Sequence, residues 1–167
     1  MRVYLGITLG ELAAAMTQGG FGPAPVLACA VTPTLREWYA EADLEELEYA
    51  ATSDAAKFSL AKLAAAPGQK PRRVVVAADV GDNAVKPDNS GGRSAVQVFD
   101  VIPIEQIASV HVDEAEAEPV VRAAAEAWPQ AEAGDDDAAF TVDEASGFEL
   151  LWYARQEIPD LLQEDEH

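Results

Sequence analysis

The sequence has a single cysteine, Cys29, so no internal disulfide can form, and its two histidines are too few to build a zinc site even with that thiol. Cys29 alternates within an apolar stretch and reads as a buried, inert thiol. Long apolar runs are also missing. VVVAADV and PVLACAV stop far short of the roughly 20 residues a membrane helix needs, and MRVYLGITLGEL places Thr8 and Glu11 where a signal peptide stays apolar. A cytoplasmic protein is expected. Basic side chains are scarce as well: 11 Lys and Arg face 30 Asp and Glu, a net charge of −19. Nucleic acid and anionic lipid both require clustered cations, so neither is an expected partner.

The charge is unevenly placed. Residues 1–112 hold 9 basic and 13 acidic side chains, net −4, whereas residues 113–167 hold 2 basic and 17 acidic, net −15. With 49% hydrophobic and 25% charged residues the composition is otherwise that of an ordinary globular chain. A length of 167 fits one domain, predicted over 1–162 with a frayed acidic tail at 163–167.

RVYLGI (2–7) reads as a strand running into Thr8-Leu9-Gly10-Glu11, a capping box opening a short helix that Gly19-Gly20 ends. PVLACAV (25–31) is a second strand, and Thr32-Pro33 starts a helix. Asp43 and Glu46 open a long helical stretch that Thr52-Ser53-Asp54 is positioned to kink or split. RRVVVAADV (72–80) is apolar enough for a central strand covered on both faces. A Gly- and Asn-rich loop fills 81–94, AVQVFDVIPI and IASVHVD follow as two strands in a hairpin-like series, and Pro119 opens a helix ending near Trp128. An acidic loop at 130–138 and a short edge strand at AFTV come next. Ser146-Gly147-Phe148-Glu149 then resembles a capping box, which predicts that ELLWYARQEI is helical up to Pro159. The expected fold is a single α/β or α+β domain, a mixed sheet of about five or six strands opening β-α-β-α-β, with the first three strands parallel and helices packed on the sheet.

MRVYL, AVTPTLREWYAEADLEELEYA, RRVVVAADV, ASVHVDEAEAEP and GDDDAAF followed by ELLWYARQEIPDLL together resemble an uncharacterised actinobacterial protein family of unknown function. The resemblance spans nearly the whole chain, least so at 81–94. It implies a cytoplasmic bacterial single domain and brings no activity, cofactor or catalytic residue with it.

Three sets of side chains are candidate sites. Parallel strands would bring the Gly6–Gly10 turn, Thr32 and Asp79 to one sheet edge, a ligand crevice with Thr8, Thr32 and Asp79 as its polar residues; GITLG lacks the third glycine of a dinucleotide loop and the lysine of a phosphate loop. Asp135, Asp136 and Asp137 are hard oxygen ligands suited to Mg²⁺ or Ca²⁺, although consecutive residues point apart and a solvated acidic loop serving a nearby helix dipole is the preferred account of them. WYAEADLEEL at 38–47 is echoed by WYARQEIPDL at 152–161. In the packing reading each tryptophan anchors its helix on the sheet. In the functional reading Trp38, Tyr39, Trp152 and Tyr153 converge as an aromatic surface rimmed by glutamates, with Arg36 and Arg155 pairing those acids within the fold or across an interface. His111 reads as a hydrogen-bonded strand residue, and Lys70, Arg72 and Arg73 as charged gatekeepers at a solvated strand end.

No complete catalytic constellation is present. The expectation is therefore a non-enzymatic acidic interaction or regulatory protein that binds a basic protein surface. The alternative is a small-molecule or divalent-metal-dependent enzyme using the strand-end crevice near Asp79.

Overall fold

A computed structural model describes residues 1–88 and 90–166, without the side chains of residues 165 and 166. The protein is a single mixed α/β domain built on a seven-stranded sheet. In chain order the elements are β1 (Arg2–Ile7), α1 (Leu9–Gln18), β2 (Gly20–Phe21), β3 (Val26–Cys29), α2 (Pro33–Trp38), α3 (Leu44–Ala65), β4 (Val74–Asp79), β5 (Val85–Pro87), β6 (Ala95–Val98), β7 (Ile102–Pro103), β8 (Ile107–Val112), α4 (Glu118–Glu132), α5 (Asp136–Glu144), β9 (Leu151–Ala154) and α6 (Ile158–Glu166). The strand order is β5-β6-β3-β1-β4-β8-β9, and β2 and β7 form a separate two-stranded ribbon.

Every neighbouring pair is antiparallel, which corrects the parallel pairing predicted from the β-α-β-α-β opening. The segment between β1 and β3 leaves and re-enters the sheet at the same end, because α1 is followed by an extended stretch through β2 and two prolines that returns the chain. β3 and β4 do point the same way, but β1 lies between them. The hairpin-like series is also corrected: β6 pairs with β3, β8 pairs with β4, and β1 and its partners separate the two.

The sheet's two faces carry two cores. Val3, Leu5, Val74, Val76 and Val110 pack under α1 and α6, whereas Tyr4, Cys29, Val75 and Ala77 pack under α2 and α3. Val74 to Ala78 are all buried, as a central strand requires. The helix α3 is unbroken through Thr52-Ser53-Asp54 and lies so close to β1 that a Cβ on Gly6 would sit 2.0 Å from the Ala55 carbonyl oxygen. The buried Ser59 hydroxyl fixes that approach, donating to the Ile7 carbonyl (2.6 Å) and accepting from the Val74 amide (3.0 Å). The hairpin of α4 and α5 forms a further layer, packing Val121, Ala124 and Ala145 on Leu60 and Leu63 of α3.

The C-terminal third departs most from expectation. α4 runs past Trp128 to Glu132, so the predicted loop at 130–138 shrinks to a short turn with Gly134 at φ 99°. AFTV belongs to α5 instead of a strand. Residues 151–154 are a strand instead of a helix, and Pro159 lies at the start of α6 instead of at an end. The tail predicted over 163–167 overlaps the last turns of α6, and His167 lies outside the described residues.

Candidate functional site

Antiparallel pairing separates Thr8 from Asp79, whereas Thr32, beyond the end of β3, stays at the Asp79 end of the sheet with β1 between them. Arg2 is opposite Asp79 and Ile7 is opposite Val74, so Thr8, which follows Ile7, and Asp79 lie at opposite ends of the sheet. Thr8 caps α1 as predicted, accepting from the Glu11 amide (3.1 Å) while Glu11 Oε1 accepts from the Thr8 amide (3.2 Å). Thr32 caps α2, accepts from the Leu35 amide (3.1 Å) and donates to the Arg93 carbonyl. Asp79 accepts from Arg2 Nε (2.7 Å) and Nη2 (3.1 Å), and this pairing holds its carboxyl below the usual range.

The two WYA segments serve different structures. Trp38 ends α2, 61% exposed, with the Arg93 guanidinium 3.5 Å from its ring centroid. Trp152 is on β9, also 61% exposed, opposite His111 of β8. Neither tryptophan anchors a helix on the sheet, which corrects the packing reading. Tyr39 terminates α2 and is exposed, whereas Tyr153 is half-buried against the α1 and α6 face. Arg36 is in the last turn of α2, and Arg155 Nη1 donates to the Glu105 carbonyl.

The basic cluster is corrected too. Arg73 is almost fully buried: its Nε and backbone amide donate to Asp113 Oδ2 and its Nη2 to Oδ1, all at 2.8 Å, and Nη2 also donates to the Phe148 carbonyl (3.1 Å). Arg72 donates from Nε (3.2 Å) and Nη2 (3.1 Å) to Glu118 Oε2. Cys29 is buried, which pushes its thiol up to about 12, an inert group as expected. His111 Nε2 shares a hydrogen bond with Ser109 Oγ (3.0 Å), and burial, then the Arg2 charge, lowers its pKa.

Asp135 caps α5, its side chain accepting from the Ala138 amide (2.9 Å), and Asp136 and Asp137 occupy the first turn, where the helix dipole favours anions. Among the described residues no group of three or more His, Cys, Asp and Glu side chains is placed to hold a metal ion. The helix these aspartates open has a further feature. Phe140, on α5, is 69% exposed. Asp136, Asp137, Asp143 and Glu144 stand four and three residues before it and three and four after it, all exposed, so the ring is the centre of four carboxylates on one helix surface. Sequence reasoning missed Phe140 because AFTV reads as a strand; the signal available was the acid spacing in DDAAFTVDE behind a Gly-Asp cap. Segment 114–149, which contains both α4 and α5, has eleven acids against Arg122, net −10, and Glu118 is the one of them bound to Arg72.

Clefts open between these elements among the described residues. One of about 870 Å³ lies between Tyr39, Tyr49, Asp54, Lys57 and the Gly91–Arg93 loop. A second of about 400 Å³ is lined by Tyr49, Lys57, His111, Asp143, Phe148 and Glu149, and a third of about 390 Å³ lies between α1, β3 and Phe58. Asp79 lines none of these three.

The sequence model of a family described as "Family of unknown function (DUF6912)" matches residues 1–162. The chain belongs to that family. Membership in DUF6912 agrees with the resemblance in being a family of unknown function and, like it, assigns no activity. No curated protein and no solved structure matches this DUF6912 chain. No helix among its described residues is long and apolar enough to cross a membrane.

Proposed function

We propose that this DUF6912 protein is a cytoplasmic, non-enzymatic interaction protein that binds a basic protein surface through the α4–α5 hairpin. The carrying observation is Phe140, an exposed aromatic ringed by four exposed carboxylates on a helix whose segment has a net charge of −10. Interfaces are built this way, with an aromatic anchor at the centre and charges around it that steer the encounter and fix the register. The fitting partner surface presents an apolar pocket among lysines and arginines. The reading needs no metal and no cofactor.

Binding of a lysine-rich decapeptide with a central leucine, followed by fluorescence anisotropy at low salt, tests it. Phe140→Ser should weaken binding at least about tenfold, the cost of removing an aromatic anchor. Phe99→Ser, a control at an exposed aromatic that lines none of these clefts, should not. Equal binding by the wild type and Phe140→Ser, or binding indifferent to added salt, overturns the proposal.

A further inference from the structure

We infer that the free edge of β9 takes up an extended segment of a basic partner, which adds to the sheet as a further strand. An antiparallel sheet has two edges, and this protein treats them differently. The β5 edge is three residues long and carries exposed Lys86 and Pro87, with Lys86 Nζ 5.4 Å from the Phe99 ring centroid; a charge and a proline on an edge discourage pairing. The β9 edge, Leu-Trp-Tyr-Ala, carries neither. Its Leu151 is 42% exposed and its Trp152 61%, one large apolar side chain on each face of an edge strand.

The backbone of that edge is aligned for pairing. Ala154 is opposite Ser109 of β8, yet its amide donates to Glu157 Oε1 (2.9 Å), so it turns away from the ladder. Alternation along an antiparallel strand turns the N–H and C=O of Trp152 outward as well. These are the groups that strand addition uses, with alternate side chains of the incoming segment reading each face. On the Trp152 face that segment meets the cleft of about 400 Å³ at His111, which is directly opposite Trp152 and lines it.

Charge selects the occupant. Exposed Glu149 and Glu157 flank the strand and Asp143 lines the neighbouring cleft, against Lys57 in the same cleft, Arg73 there already held by Asp113, and Arg155, whose Nη1 donates to the Glu105 carbonyl. A second copy of the chain brings a net −19 to the same edge and is repelled, whereas a segment with lysines or arginines is drawn in. The basic character of the partner rests on the function proposed above; the strand pairing does not.

The probe is a decapeptide of alternating valine and lysine, with a control in which two central valines are prolines. Amide exchange and chemical shifts are mapped by NMR on the full chain. The alternating peptide should slow exchange of the Trp152 amide at least about tenfold, the effect of one newly satisfied hydrogen bond, and the proline peptide should not. Trp152→Thr, which keeps the outward amide, should retain the slowing at residue 152. Trp152→Pro, which removes it, should lose affinity at least about tenfold. Shifts confined to residues 136–144 overturn the strand edge and leave the α5 reading standing. Slowing at Trp152 that needs no peptide and grows with protein concentration makes a second copy the occupant and also overturns it.

Discussion

At the scale of single residues, Arg73 is a side chain whose structural role the sequence conceals. It follows two other cations in KPRR, a pattern that reads as solvated gatekeepers. The charge is instead buried against Asp113, 40 positions away, and nothing local announces a partner so distant. Cys29 and His111 were legible because each depends only on strand alternation. For Arg73 the cost of separation decides the outcome. Asp113→Ala leaves a guanidinium almost without solvent and without its carboxylate, and should lower unfolding free energy by about 3–5 kcal/mol. Arg72→Ala, which breaks a half-buried pair with Glu118, should cost less, about 1–2 kcal/mol. Urea denaturation of the two variants beside the wild type measures the contrast, and equal losses would show that the burial of Arg73 is unimportant.

At the scale of elements, the sequence is read correctly wherever a cap and the following apolar spacing agree. Thr8–Glu11, Thr32–Pro33 and Asp43–Glu46 each mark a real helix start. Ser146-Gly147-Phe148-Glu149 has the same lettering and fails. The Ser146 hydroxyl turns back to the Asp143 carbonyl (2.5 Å) at the end of α5, and the Phe148 carbonyl accepts from the buried Arg73, so the segment finishes one helix and is tied to the core instead of opening another. Residues 151–154 then complete the sheet on β8, which depends on neighbours that local periodicity does not contain. Strand direction was hidden for a similar reason: a helix between two strands implies parallel neighbours only if the rest of the connection is short. Gly6 shows the same priority of packing. In GITLG it suggests a ligand turn, yet the structure uses its missing side chain to seat α3 on β1. Gly6→Ala should therefore destabilise by at least about 1–3 kcal/mol, since the clashing atom is a backbone oxygen and both elements must shift. A thermal melt reports it, and an unchanged midpoint would mean the α3 seat yields easily.

At the scale of the whole molecule, the question is whether the excess negative charge is there for folding. Part of it is. Asp113 neutralises Arg73, Asp135 caps α5, and Asp136 and Asp137 lie where the helix dipole favours them. α6 takes Asp160 and Glu164 to the opposite face of the sheet from α4 and α5, so the acids of the last third do not form a single surface. Asp143 and Glu144 are different. They occupy the C-terminal end of α5, which has no basic residue in its last turn, and there the dipole opposes them. Folding alone would disfavour carboxylates at that end, whereas a basic partner centred on Phe140 would favour them. Asp143→Asn combined with Glu144→Gln should accordingly stabilise the protein by about 0.3–1 kcal/mol per site. The same variant should bind the lysine-rich peptide more weakly and with a shallower dependence on salt. Stability and binding would then move in opposite directions, as they do where residues are kept for function at a cost to the fold. If the double variant were instead less stable, with binding unchanged, these two carboxylates would belong to the architecture of α5, and the ring around Phe140 would lose half of its members as evidence for a partner.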